Sequence, residues 1–407
     1  MSTSAIKGGE RDFQVTKIWN RLFITVFIAN VGMNLSQQMT NSLVSKYADS
    51  LGATKTMVGL VSSMFAITAL LFKVLSGPVI DTYNRRFILA GAMAVMAVSF
   101  FGYSTAGAVP TLMVFRLVQG AGQAFTTTCC LALAADTLPK DKFGSGIGVF
   151  SMAQAASQAI GPALALALVD VMGYSNTFRL GCLIMCCSAF LAATVKVPFK
   201  RTKKFKISLK SIIAKEAILP AVIIFVLSLA FFVINSFLVI FAGEQGLPSA
   251  QAGYFFTAYA GTMLFTRPMV GRLVDRFGTV RVLIPAIICF ALSFFIISVT
   301  SALPVLLLAG FVSAFGYGAC MPAMQTLAMK CVSPERRGAS SSTNYIGTDL
   351  GSLLGPVLAG AVADKLGYIA MWRIMTVPIF AGLIIVIACR SKINRVEKNF
   401  DNMQKAG

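Results

Sequence analysis

The chain contains no histidine, and only 12% of its 407 residues are charged. The first absence excludes a histidine metal site and a histidine proton relay. The second excludes the polar skin of an ordinary soluble domain, in which about 25% of residues carry charge. Acidic side chains are especially scarce, 15 against 35 basic ones, giving a net charge of +20. No carboxylate pair, metal-ligand cluster or activated nucleophile stands out, so neither an enzyme nor a bound cofactor is expected. A secretory leader is not expected either: the first 21 residues are polar, and the apolar run after them has no small-residue cleavage site. The cysteines lie mostly inside apolar runs, as at Cys129–Cys130 and Cys186–Cys187. They read as small buried hydrophobes, not as a disulfide framework.

What the chain has is apolar sequence, 57% of the whole. It falls into runs of about 20 residues, the length that crosses a bilayer's hydrocarbon core. Twelve such runs are expected: 22–45, 57–79, 87–108, 110–134, 144–168, 176–195, 218–241, 250–270, 282–302, 304–328, 338–362 and 371–389. The first and eleventh carry the most polar side chains. None alternates polar and apolar residues, which disfavours a barrel. The expected fold is therefore an all-α membrane protein. The basic residues cluster between runs, a placement that suits membrane orientation and not nucleic-acid binding.

Lysine and arginine set that orientation. Lys7, Arg11, Lys17 and Arg21 precede the first run, and Arg85, Arg86, Lys140 and Lys142 mark the next loops on the same side. Residues 196–216 carry eight basic side chains and one acidic one. The opposite side is nearly bare, so both termini are expected in the cytoplasm. The expected organisation is a six-helix bundle over residues 1–195, a basic cytoplasmic linker over 196–217, a second six-helix bundle over 218–389 and a cytoplasmic tail over 390–407. The linker either lies along anionic lipid or is a solvated connector.

The halves repeat at a fixed offset of 194 residues. Gly59 maps to Gly253, Lys73 to Arg267, Gly77 to Gly271 and Asp81 to Asp275. Asn41 maps to Asn235, Gly161 and Pro162 to Gly355 and Pro356, and Asp170, Tyr174 and Arg179 to Asp364, Tyr368 and Arg373. Two parallel repeats imply bundles that rock about an axis along the membrane normal and expose a central cavity to either side in turn. In both copies an aspartate follows a glycine by four residues at the cytoplasmic end of a run. Glycine admits a neighbouring helix, and the carboxylate can accept from free amides at a helix N-terminus. With Arg85, Arg86, Arg276 and Arg281 nearby, these residues form a candidate cytoplasmic gate. Simple topology determination explains the arginines but not the repeated glycine and aspartate.

The copy Gly271-Arg-Leu-Val-Asp275-Arg276-Phe-Gly278 resembles the loop motif G-x-x-x-D-R-x-G-R-[RK] of the major facilitator superfamily, and the resemblance covers essentially the whole chain. The first copy departs from it, with Thr82 and Asn84 where arginine and glycine are usual. In the fourth run, Arg116-Leu-Val-Gln119-Gly120-Ala-Gly122-Gln123 resembles the motif associated in that family with proton coupling. Gly161-Pro162 and Gly355-Pro356 resemble the glycine–proline motif of its antiporters, with Ala165 in place of a usual glycine. They are candidate helix breaks near the outer gate. The resemblance implies a twelve-span fold of two pseudo-symmetric bundles and leans toward proton-coupled efflux members.

Polar residues inside the runs supply the remaining candidates. Asn30, Asn34, Gln37, Gln38 and Asn41 form a stripe at helical spacing; Gln154 and Gln158 form a pair, and Arg116, Gln119 and Gln123 share a face. Facing lipid would leave amides unsatisfied, so each set faces a cavity or a neighbouring helix. Arg116 either projects into the interior or snorkels to the near end of its run. Asp349, one turn from Tyr345, has Ala155 as its repeat partner and so breaks the symmetry. A carboxylate isolated there is disfavoured as an anion, and its protonation can couple to cavity opening. An ion pair with a basic side chain or recognition of a cationic solute are other uses of that charge. Phe231, Phe232, Phe237, Phe255, Phe256 and Tyr259 either line a cavity or pack the core.

The leading expectation is proton-coupled export of a small amphipathic solute by a monomer in a cell membrane, driven by the proton gradient. Proton-coupled uptake or organic-anion exchange, with Arg116 reading the anion, is one alternative. A non-transporting receptor or scaffold is another.

Overall fold

The computed structural model describes residues 19–137, 143–195, 213–300, 302–332 and 336–406. The expected linker lies mostly outside the described residues. Among the described residues the secondary structure is helical throughout: α1 (Arg21–Ser50), α2 (Lys55–Thr82), α3 (Arg85–Thr105), α4 (Val109–Asp136), α5 (Phe143–Thr194), α6 (Ile218–Glu244), α7 (Ser249–Phe277), α8 (Thr279–Ser298), α9 (Leu303–Lys330), α10 (Arg337–Ile374), α11 (Thr376–Ala388) and α12 (Arg390–Ala406). Among the described residues, seven stretches are long and apolar enough to cross a membrane, and two of these, Met152–Thr194 and Ala339–Ala388, have 43 and 50 residues, enough for more than one passage. The helices α1, α4 and α7 are as long but carry more polar side chains. Large apolar side chains such as Val171, Phe190, Phe265 and Ile384 stand exposed on the outside, as they do against lipid.

Local chemistry starts and stops these helices. The Asn20 side chain accepts from the Phe23 amide at 2.9 Å and opens α1. Gly52, with φ of 81°, turns the chain before Thr54 caps α2. The helices α5 and α10 each continue through their proline, Pro162 and Pro356, and bend instead at Gly173 (φ 77°) and Gly367 (φ 80°). The expected breaks at Gly161–Pro162 and Gly355–Pro356 are thus not breaks in the backbone. Each proline removes one amide from the ladder, while the glycine before it admits another helix: a Cβ on Gly355 would stand 2.1 Å from the Leu229 carbonyl oxygen.

Packing follows the repeat. Helix α1 lies on α5, α3 on α4 and α5, and α2 on α4; in the same way α6 lies on α10, α8 on α9, and α7 on α9. The two groups meet where α2 crosses α10 and α5 crosses α7. Each has an aromatic plug at equivalent places. Tyr103 and Phe178 are buried together in the first, and Phe241, Phe294 and Trp372 in the second.

The two loop copies build their turns differently. Gly278 has φ of 84°, which glycine adopts without strain. Its counterpart Asn84 has φ of −66° and caps α3 through its side chain, which accepts from the Arg86 amide at 3.3 Å. The departure noted at Asn84 therefore exchanges a left-handed glycine for a side-chain cap. In the second copy the cap comes from elsewhere. Glu397, on α12, accepts from the Thr279 amide at 3.0 Å and from its hydroxyl, and Lys330 lies 3.8 Å from the same carboxylate.

The tail is thus a helix docked on the second bundle, a feature its basic composition did not announce. Ile393 is fully buried beneath it and Val396 packs on the same core. Replacing Glu397 with alanine removes the α8 cap and the Lys330 contact. About 1–2 kcal/mol of docking is lost, so trypsin cleavage at Lys392–Lys398 should accelerate roughly tenfold while α11 stays protected.

Candidate functional site

The helices place two polar nodes in the interior. The first surrounds Arg116 on α4. Its Nε donates to the Val61 carbonyl at 3.0 Å and its terminal nitrogens to Asn41 at 2.9 Å, Gln119 at 2.8 Å and the Ser62 carbonyl at 2.5 Å. Gln119 also donates to Asn41 at 3.2 Å and accepts from Tyr103 at 2.7 Å. The guanidinium lies over the Phe65 ring, 4.7 Å from its centroid. Arg116 is only 1% exposed, so it does not snorkel; neutral oxygens of α1, α2 and α4 solvate its charge. Glycine makes the node possible. A Cβ on Gly120 would meet the Phe65 carbonyl oxygen at 2.0 Å, and one on Gly122 the Ala92 carbonyl oxygen at 2.7 Å. The substitution Gly120→Val forces α4 off α2 and should cost about 3 kcal/mol or more, read as a fall in the thermal denaturation midpoint of the purified protein.

The second node joins the two groups of helices. Asp349 on α10 is not isolated: its carboxylate accepts from the Lys73 ammonium on α2 at 2.6 Å. The two side chains remain 23% and 28% exposed, respectively. Lys73 also lies over the Tyr345 ring, 5.0 Å from its centroid, and Gln325 on α9 donates to the Tyr345 hydroxyl at 3.1 Å. Lys73 was visible in the sequence only as one member of a repeat pair. The crossing of α2 over α10 is what brings it to Asp349, and no local pattern specifies that crossing.

The other candidates divide. Asn30 and Asn34 bond within α1 and to the Phe150 carbonyl of α5, an interhelical use of the stripe. Asn41 belongs to the Arg116 node. Gln37, Gln38, Gln158 and Asn235 are half-buried and Gln154 is exposed. Gln123 has a buried carbonyl oxygen without a partner. Phe237, Phe255, Phe256 and Tyr259 are core side chains, whereas Phe231 is half-buried and stacks on Tyr317, with centroids 4.0 Å apart. Arg86 and Arg276 lie over the neighbouring Phe87 and Phe277 rings, Arg281 is exposed, and Gly77 and Gly271 lie within their helices. The side chains of Asp81 and Asp275 lie outside the described residues, and with them the proposed carboxylate contacts at the gate.

The helix-capping carboxylate appears at the opposite end. Asp364 on α10 accepts from the Lys55 and Thr56 amides, at 2.9 and 2.8 Å, where α2 begins. Lys55 lies over the Tyr368 ring at 4.1 Å. Nearby, Lys46 donates to Ser249, and Ser62 and Ser236 share a hydrogen bond of 2.5 Å. These contacts all join the two helix groups on the side away from α12. Glycine again sets the approach. A Cβ on Gly59 would stand 2.1 Å from the Pro356 carbonyl oxygen, and one on its repeat partner Gly253 would stand 2.7 Å from the Ala163 Cα. An outward-facing groove of about 510 Å³ between α7 and α9, lined by Phe265, Phe311 and Phe315 among others, lies away from both nodes.

Comparison with known proteins places this arrangement. Residues 26–248 and 220–406 each match the Major Facilitator Superfamily. The chain is 24% identical over 366 residues to the multi-drug resistance efflux pump PmrA of Streptococcus pneumoniae, covering 86% of each chain. It is 23% identical over 391 residues to an uncharacterised transporter of the same superfamily from Methanocaldococcus jannaschii, covering 92% of this chain and 98% of that protein. Among solved structures, the nucleoside transporter NupG (D323A mutant) superposes with a TM-score of 0.77 at 15% identity, covering 90% of this chain and 99% of that one. Two matches that together span nearly the whole chain and a fold shared end to end lead to one assignment: the protein belongs to the Major Facilitator Superfamily and is a multi-pass membrane transporter of small molecules working by alternating access, not an enzyme.

Proposed function

We propose that the protein exports a small amphipathic solute in exchange for protons, through twelve crossings in two six-helix bundles with both termini in the cytoplasm. The observation that carries this reading is the Lys73–Asp349 pair, a titratable bond strung between the two helix groups and partly exposed. A proton on Asp349 cancels the attraction to Lys73, releases α10 from α2 and so favours a different packing of the bundles. Arg116 acts as the fixed charge of the first bundle. The gate residues around Asp81 and Asp275 close the cytoplasmic side, and the contacts of Asp364, Lys46 and Gly59 close the other. The direction leans on the glycine–proline motifs and on relatives named as efflux pumps. The basic linker and the loop arginines sit against anionic lipid in this scheme.

The test is a flux screen of metabolites and drugs in proteoliposomes with an imposed pH gradient. Solute movement opposite to the proton supports export. Movement in the same direction makes the protein an importer, and binding without flux makes it a receptor.

A further inference from the structure

Asp349 is placed like no other carboxylate of the spanning helices. Every other acidic residue of α1 to α11 lies within about a turn of a helix end or of the bends at Gly173 and Gly367. Of the helices packed on α10, α11 carries no charge and α6 none before Glu244 at its end. Helices α8 and α9 carry Arg281 and Lys330 near their ends, and α2 has Lys73 alone away from its ends. The other titratable groups there are neutral: Tyr317 on α9 shares a hydrogen bond with Ser228, Cys320 on α9 is buried, and Cys289 on α8 is half-buried. The remaining interior cations make no bond to Asp349. Arg116 is enclosed by neutral oxygens, and Arg267 on α7 has no ion pair with it among the described residues.

The ammonium on that carboxylate is held loosely. Lys73 donates one hydrogen bond, to Oδ2 at 2.6 Å, and lies over the Tyr345 ring, 5.0 Å from its centroid. Among the described residues no second acceptor meets it, and Oδ1 of Asp349 accepts from no described group. Asp349 and Lys73 are 23% and 28% exposed, Tyr345 is 36% exposed, and Gln325 fixes the Tyr345 hydroxyl at 3.1 Å. An ion pair so exposed is weak. A carboxylate beside a ring face is, in turn, the set of groups that holds an alkylammonium ion.

We infer that this site takes protonated amines carried on an apolar body, and that Lys73 is the built-in competitor they displace. The incoming ammonium docks on the open Oδ1 and then takes the place of Lys73 over Tyr345. The lysine stem turns its own charge toward water. The site's purpose rests on the exchange proposed above; its chemistry does not, because binding needs no gradient. Lys73 gives that exchange a rule. A proton or an amine frees Lys73, each excludes the other from the carboxylate, and with neither bound the pair ties α2 to α10. The empty carrier is thereby held still, so amine moves one way only as protons move the other.

The test uses dansylcadaverine, a fluorescent primary amine, with two derivatives of the same body: the neutral N-acetyl form and the trimethylammonium form, which has no N–H to donate. Binding is read by fluorescence anisotropy at fixed pH in phosphatidylcholine nanodiscs, with empty discs as the baseline. Dansylcadaverine should bind about tenfold tighter than the N-acetyl form and measurably tighter than the trimethylammonium form, as one charged hydrogen bond requires. Asp349→Asn should cost about tenfold in dansylcadaverine affinity, so that its counterflow needs about tenfold more solute. Tyr345→Leu should cost about threefold. Lys73→Gln should bind dansylcadaverine several-fold tighter than the unsubstituted protein, a gain that loss of a merely structural contact would not produce. Equal binding of dansylcadaverine and either derivative, unaltered affinity in D349N, or affinity in K73Q no higher than in the unsubstituted protein overturns the inference. The comparison of probes needs no substitution and is decisive in the native chain. Amine-selective binding with no movement of the amine across vesicles sinks the exchange mechanism and leaves the site standing. Proton-coupled flux of solutes without a cationic group, with no selectivity for the amine, does the reverse.

Discussion

Asp349→Asn is expected to abolish proton-driven flux while the protein still folds and inserts. The asparagine carbonyl still accepts a hydrogen bond from Lys73, so the loss of the ion pair costs about 1–2 kcal/mol at most in this partly water-exposed position. What asparagine cannot do is gain and lose a proton. Transport driven by an imposed pH gradient should therefore fall to the rate of empty vesicles. Solute counterflow without a gradient, which needs only the rocking of the loaded bundles, should persist at a reduced rate. The split between these two readings is the signature of a coupling group. A merely structural carboxylate would lose both together, or neither. Lys73→Gln should give a different pattern, because it leaves Asp349 ionisable but removes the charge that holds the bundles together. Flux should become weakly dependent on pH and not vanish.

The second large effect is expected at Gly59. The Pro356 carbonyl oxygen occupies the space a side chain would need, and the next atoms, the Pro356 carbonyl carbon and the Val357 Cα, are backbone as well. Neither can turn aside as a flexible side chain would. Gly59→Leu must therefore wedge α2 away from α10 on the side closed by Asp364 and Lys55. Overpacking of this kind costs about 3 kcal/mol, enough to lower the population of the closed arrangement roughly a hundredfold. Spin labels at Ser50 and Gln245, in a background without native cysteines, should report longer distances in G59L than in the unsubstituted chain, and flux should fall in proportion. Gly253→Leu should act alike through Ala163. Gly261→Ala is the control, since nothing lies within 4 Å of its added Cβ. An unchanged distance distribution in G59L would remove the contact from the account of the gate.

Much of this was legible in the sequence, and the limits have physical causes. The helices could be read from run length. The 194-residue offset could be read from identities such as Asn41 with Asn235, and it already paired Gly59 with Gly253 and Lys73 with Arg267. What those pairs do could not be read, because each depends on which helix of one bundle crosses which helix of the other. Asp349 was legible as an asymmetric charge and misread as isolated for that reason. For Arg116 the position in its run left two places open, the interior and the near membrane surface. In the fold it is buried, because Asn41, Gln119 and two carbonyls of α2 converge on it from three helices. The helix-capping role expected of a repeated aspartate was sought at the loop motif, and the described carboxylate that performs it across the bundles is Asp364. Glu397 could not be found from its own surroundings, since its partner Thr279 lies 118 residues away. The apolar period of Ile393, Val396 and Phe400 was the one available sign that the tail is a docked helix.

The claim on which the rest depends is that breaking Lys73–Asp349 by a proton is what couples solute to gradient. It is tested most directly by trapping a pH dye inside proteoliposomes and imposing a gradient of the solute found in the flux screen, with no pH gradient at the start. The account predicts that solute moving one way drives protons the other way, that the proton signal disappears in D349N while solute counterflow remains, and that it is retained in a variant such as G261A. Solute flux in the unsubstituted protein with no accompanying proton movement, or a full proton signal in D349N, would contradict it.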